Sequence, residues 1–334
     1  DIYKFPLLSE NKLIYLTKHK FNMLNLTVRG NIRPEFVKAA LLDIYLKWKI
    51  PRNIEEILVI DDPKYFKEIE KRIPRKMRKE FQETYFEDPT SMSITSGKFD
   101  LIIISISSKT ENYLKTNSEA LQGVISHELM HIVQRRKGLD RKVRSDAIRA
   151  YKEFRPRIRK LYRYMDKNHV DQIFAEIGRQ ANFVLKDLYA NDALIKLNLG
   201  NGILADYSNY YASSGRLIPS INYVKTGHKK ITRKIRTDIA NSVNYILGLM
   251  PVIVPFGRWY LKSKNKNAKI LVDYIGDHYE TKMSHVAKEM DSIIKYSIKN
   301  LKDSQTFRKS FFRKLFLLTE KLIKESDEYE FERQ

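Results

Sequence analysis

Two regimes of hydrophobic patterning divide the chain near Gly138. Before it, short apolar runs alternate with charged stretches; after it, apolar residues recur at helical spacing almost to the end. Leu24–Arg29 alternates loosely and predicts a strand. Pro34–Lys49 predicts a helix whose apolar stripe is Phe36, Val37, Ala40, Leu41, Ile44 and Leu46. Glu56–Asp61, apolar between charged ends, predicts a buried strand. Pro63–Phe86 predicts a heavily charged helix interrupted at Pro74. A short strand at Ser91–Thr95 is followed by the clearest one, Asp100–Ser107. The apolar density of Leu101–Ser107 suits a central place in the sheet and leaves Ser91–Thr95 for an edge.

Beyond Gly138 the pattern predicts helices over about 143–165, 168–198, 228–250, 278–301 and 304–326, with Gly200-Asn201-Gly202 ending the second. Ile246–Phe256, broken by Gly248, Pro251 and Pro255, predicts a buried turn between helices or a pocket wall. The expected fold class is α+β: a small mixed sheet followed by a mostly helical C-terminal half. The expected domains are 1–138, an α/β subdomain, and 139–334, a helical subdomain.

The first domain should end in the helix that carries the chemistry. Val124–Val133 contains His127-Glu128-Leu129-Met130-His131, an H-E-x-x-H motif. Positions four apart on a helix lie one above the other, so His127 and His131 point to one side and can share a Zn²⁺ through their ring nitrogens. Glu128 stands beside them without being a ligand, placed to take a proton from a metal-bound water. The flanks Val124, Ile125, Leu129, Met130, Ile132 and Val133 let this helix run through a dry interior. Thr116 and Glu119 have capping-box spacing at its start, and Gly138, after Arg135-Arg136-Lys137, predicts its stop.

On this motif the chain resembles the zincin metallopeptidases. The metzincin extension would need Gly at 134 and His at 137, where this chain has Gln134 and Lys137. A downstream carboxylate is then the expected third ligand, with water in the fourth position of one Zn²⁺ per chain. Asp187-x-x-Ala190-Asn191 resembles the E-x-x-A-N or E-x-x-A-D signature of gluzincin-like peptidases, closest to the IrrE/ImmA-like and HtpX-like groups. The resemblance implies Asp187 as the ligand and Asn191 as a residue that steadies a histidine ligand. Val184, Asp187, Leu188, Asn191 and Ile195 share a helical face, which turns Asp187 inward. The departure is Asp where the family has Glu, a reach shorter by about 1.5 Å. Glu176, three turns earlier on the same face, is the alternative third ligand, and Asp206 follows after Gly202. Tyr207, Tyr210, Tyr211 and His228 are candidate donors to an oxyanion, and nothing in the sequence ranks them.

Composition adds bounds. The chain has 334 residues, 43% hydrophobic and 31% charged, as in a globular protein with a large core. It has no cysteine, which excludes disulfides and thiolate metal sites and fits a cytoplasmic location. Abundant Lys, Arg and Glu without Cys is also a thermophile composition. No run reaches the roughly 18 apolar residues that span a bilayer. The net charge of +22 favours an acidic partner. Two basic segments, Arg135–Lys167 and Lys225–Arg236, concentrate it, the first interleaved with Tyr151, Phe154, Tyr162 and Tyr164. They could bind a phosphate backbone, select an acidic substrate, or form a solvated helix pair whose aromatics face the core. No zinc finger, RRM-like or Gly-rich phosphate motif is present. The function expected is a zinc metallopeptidase acting on a peptide or protein. The alternative is a non-catalytic or latent zincin-fold protein that binds nucleic acid or an acidic partner through its basic helical half.

Overall fold

In the computed structural model the described residues are 25–30, 32–48, 56–60, a few between 70 and 78, 92–96, 99–106, 112–214, 231–282 and 284–331. The expected helix over Pro63–Phe86 falls almost wholly outside them, as do His228 and the side chains of Lys225–Arg236. The fold is α+β. The chain divides into two compact units, residues 1–133 with 197–210, and residues 134–196 with 211–334. The break at 133/134 falls inside the motif helix, and a later segment, 197–210, belongs to the first unit, a return that the pattern of a single boundary at 138 did not contain.

The first unit is built on a four-stranded sheet. Its strands are β1 (Asn25–Arg29), β2 (Glu56–Ile60), β3 (Met92–Ser96) and β4 (Phe99–Ser105), in the order β1-β2-β4-β3. β1, β2 and β4 are parallel, with Thr27 opposite Leu58 and Leu58 opposite Ile103. β3 runs antiparallel to β4, with Ile94 opposite Leu101. The two inner strands are apolar at successive positions because both of their faces are covered: Ile57–Ile60 and Leu101–Ile104 are all buried. β4 is therefore central and β3 is an edge of the described sheet, as the pattern indicated. Helix α1 (Pro34–Lys47) buries Val37, Ala40, Leu41 and Ile44, while Leu46, counted in the apolar stripe, is 60% exposed.

The motif helix is α2, Ser118–Arg136. Its N-cap is Asn117, whose Oδ1 accepts from the Ala120 N–H at 3.0 Å. Thr116, the expected cap, instead donates its hydroxyl to the Tyr113 carbonyl. Asn117 takes the position because its side chain reaches the third amide of the first turn. At the other end Gly138 adopts φ 71°, the left-handed stop the sequence suggested. Gln122 donates to Asp43, which ties α2 to α1. Helix α5 (Gly200–Ser214) crosses α2 at a glycine pair: a Cβ on Gly123 would lie 2.2 Å from the Gly202 oxygen.

The second unit is helical. It comprises the ends of α2 and α5, α3 (Leu139–Lys160), α4 (Lys167–Lys196), α6 (Ile231–Ser263), α7 (Lys266–Lys282), α8 (Ser284–Asn300) and α9 (Gln305–Phe331). Phe154, Phe174 and Phe316 pack with ring centroids 5.5–5.9 Å apart and join α3, α4 and α9. Arg308 and Asp146, both buried, pair at 2.7 Å between α9 and α3. Glu320 of α9 takes Arg157 of α3 at the same distance.

Three expectations are corrected here. α5 and α7 are helices that the pattern did not separate. The Gly200-Asn201-Gly202 stretch opens α5 and does not end α4, which stops at Lys196 before Asn198 at φ 60°. Ile246–Phe256 is not a turn; it lies inside α6 with Pro251 and Pro255 in the helix. Each proline removes one N–H and so orphans the carbonyl four residues earlier. For Pro255 that carbonyl is Pro251 O, and the Asn191 side chain supplies the missing donor at 2.8 Å. With Ile246, Leu247, Met250, Val254 and Phe256 all fully buried, packing holds the segment helical against its prolines. Among the described residues no helix is long and apolar enough to cross a membrane.

Candidate metal centre

The site begins with the stripe geometry of α2. Ile125, Leu129 and Ile132 are fully buried and anchor the helix in its unit, while His127 and His131 lie one turn apart and half-buried. Their Nε2 atoms approach to 3.0 Å, and the rings stand edge to face with centroids 4.5 Å apart. Two imidazole nitrogens meet this closely when one donates a proton to the other or when both lone pairs address one cation. The 3.0 Å spacing is that of an N–H···N hydrogen bond, and a single tetrahedral Zn²⁺ at 2.0–2.1 Å would need the two nitrogens only a few tenths of an ångström further apart, at about 3.3 Å. Glu128, between them in sequence, is 7% exposed.

Asp187 belongs to the long helix α4. Its neighbours Val184, Leu188 and Asn191 are buried and Asp187 itself is half-buried, as the shared face implied. His127, His131 and Asp187 offer one ligand atom each, and these atoms all lie within 4.8 Å of one another. Two neutral nitrogens and a carboxylate make a donor set suited to Zn²⁺ with a fourth position open. Asp in place of Glu therefore does not keep the carboxylate from the group.

What fixes the Asp187 turn is visible inside the second unit. Gln134, the first α2 residue of that unit, is 7% exposed and donates its amide to the Lys186 carbonyl at 3.0 Å. Lys186 Nζ and Arg135 Nε both stand 3.8 Å from Asp140, at the start of α3. The last turn of α2 is thus fastened to the residue preceding Asp187. In sequence Gln134 served only to exclude the metzincin pattern. Its place three residues after His131, on the same side of the helix, was the signal for a positioning role.

The remaining candidates go elsewhere. Glu176 accepts from the Asn244 amide at 3.1 Å and is not among the three residues of the group. Asn191 is fully buried and gives its side-chain N–H to Pro251 O, so it holds α4 on α6 one turn beyond Asp187. Asp206 accepts from the Tyr113 hydroxyl at 2.5 Å. Tyr113 precedes α2, Asp206 lies one turn beyond Gly202 on α5, and Asp206 is not among the three residues of the group. Burial raises the Asp206 pKa to about 7, against the opposing pull of the Tyr113 hydrogen bond. Tyr207 and Tyr211 are half-buried along α5 and Tyr210 is 39% exposed.

Comparison with protein-family models, curated proteins and solved structures gives no match for this chain.

Proposed function

We propose that the protein is a zinc-dependent metallopeptidase that hydrolyses peptide bonds of a peptide or protein. The observation that carries the reading is the His127–His131–Asp187 group beside Glu128 of an H-E-x-x-H helix. A Zn²⁺ bound by these three residues supplies Lewis acidity for the scissile carbonyl and for the attacking water. His127 and His131 act as neutral nitrogen donors, and Asp187 contributes the one negative charge that keeps the centre cationic. Glu128 takes the proton of the attacking water and returns it to the leaving amine. Gln134 and Asn191 act by position. The first holds the backbone beside Asp187, and the second donates to the Pro251 carbonyl inside α6 and so fixes α4 one turn beyond Asp187. The carboxylate of Glu128 favours catalysis over a structural metal site, because a closed site has no use for a base beside its ligands. The cysteine-free chain suits a reducing compartment, and the reading places the peptidase in the cytoplasm.

The Glu128→Gln variant tests this reading. It should retain metal at the wild-type ratio and lose cleavage of a mixed fluorogenic peptide library by about 10²–10⁴-fold. Cleavage at the wild-type rate by that variant would end the mechanism.

A further inference from the structure

The outward face of α3 carries a row of cations that the metal centre does not use. Arg141, Arg144, Arg149, Lys152, Arg155 and Arg159 are all exposed. At 100° per residue they fall within an arc of about 140°, opposite the buried stripe of Leu139, Val143, Asp146, Ala150, Phe154 and Ile158. The three acidic residues of α3 do not neutralise this row. Asp146 is buried against Arg308, Asp140 stands near Arg135 and Lys186, and Glu153 approaches Lys309 at 3.9 Å from the edge of the face. Among the described residues none of the six cations is held in an ion pair, so their charge is directed to solvent.

We infer that this face of α3 binds the phosphate backbone of a nucleic-acid duplex without reading its sequence. From Arg141 to Arg159 the row extends about 27 Å on a straight helix, enough to follow several successive phosphates. Five of the six are arginines, whose planar guanidinium matches two phosphate oxygens at once. The aromatics interleaved with them point the other way: Phe154 packs on Phe174 and Phe316, and the Tyr151 and Tyr162 hydroxyls donate to Asp171. Tyr164, beyond the end of α3, is half-buried with the Arg163 guanidinium over its ring. Among the described residues of the α3 face no ring is offered for an unpaired base to stack on, which favours a duplex over a single strand. Ile148, 48% exposed, is the one large apolar side chain on the face, too little to bury in a lipid surface.

The experiment is fluorescence anisotropy of the full chain with a labelled duplex of about 20 base pairs and arbitrary sequence, at KCl from about 50 to 200 mM. Engagement of five or six phosphates gives a log–log salt slope of about −5. The triple variant Arg149→Gln, Lys152→Gln, Arg155→Gln keeps helix propensity, should bind more than about tenfold more weakly near 100 mM salt, and should flatten the slope to about −3. A control triple of equal charge change on exposed lysines of other helices, Lys262→Gln, Lys266→Gln, Lys299→Gln, should bind within about twofold of wild type. The single variant Lys152→Gln, flattening the slope by about one, repeats the test should the triple not fold. Equal losses in the two triples would reduce the effect to diffuse charge and overturn the inference. So would a wild-type slope shallower than about −2, or binding to vesicles of anionic lipid with none to the duplex.

Discussion

Asp206 shows how far a single side chain's environment can move its chemistry. Its carboxyl is buried enough to raise its pKa from 3.8 to about 7, with the Tyr113 hydroxyl hydrogen-bonded to it. A carboxyl whose pKa is higher in the folded state favours folding least where it must ionise. Between about pH 4 and 7 the folded chain holds a proton that the unfolded chain has lost, so stability falls as pH rises through that window and stays lower above it. Asp206→Asn, which cannot ionise and still accepts from Tyr113, should melt near wild type at pH 4 and above it at pH 8. Thermal melts of both proteins across that range check this; a difference in melting temperature independent of pH would mean that Asp206 does not titrate with folding. The same scale separates what single residues revealed from what they concealed. His127, Glu128 and His131 were legible because their chemistry depends on spacing within one helix. Asp187 was legible only as one carboxylate among several, since sequence does not say that Glu176 is taken by Asn244 while Asp187 joins the histidines.

Elements were legible where a period was clean and opaque where packing overrode local preference. β2 and β4 announced themselves as unbroken apolar runs because both faces of each strand are covered. The α6 segment around Pro251 and Pro255 read as a turn because proline breaks isolated helices; here an asparagine from α4 replaces the lost donor. α5 was missed because Gly200 and Gly202 look like a helix end. Gly202 is instead a contact residue, the partner of Gly123 in a crossing where backbone meets backbone. Gly123→Ala makes that testable. A methyl 2.2 Å from the Gly202 oxygen has no flexible side chain to displace, so the helices must separate. The cost should be about 1–3 kcal/mol, or more if α2 and α5 lose register. Chemical denaturation of the variant measures it, and an unchanged midpoint would contradict the crossing.

For the whole molecule the central claim is that one chain assembles one metal centre from residues far apart in sequence. In the proposed centre the motif helix would provide two nitrogens and the base, and α4 the carboxylate, while Gln134 fastens the end of α2 to the backbone beside Asp187. Fold class followed from pattern alone, since unbroken apolar runs in buried strands and the 3.6 period of helices are local properties. The return of residues 197–210 to the first unit did not, because chain reversal between units leaves no local trace. The most direct measurement is the zinc content per chain by elemental analysis, for wild type and for Asp187→Ala, each purified without added metal and again after reconstitution. The account predicts about one zinc per wild-type chain, with affinity reduced by at least about tenfold in the variant. Wild type free of zinc even after reconstitution, or Asp187→Ala holding zinc as tightly as wild type, would contradict it.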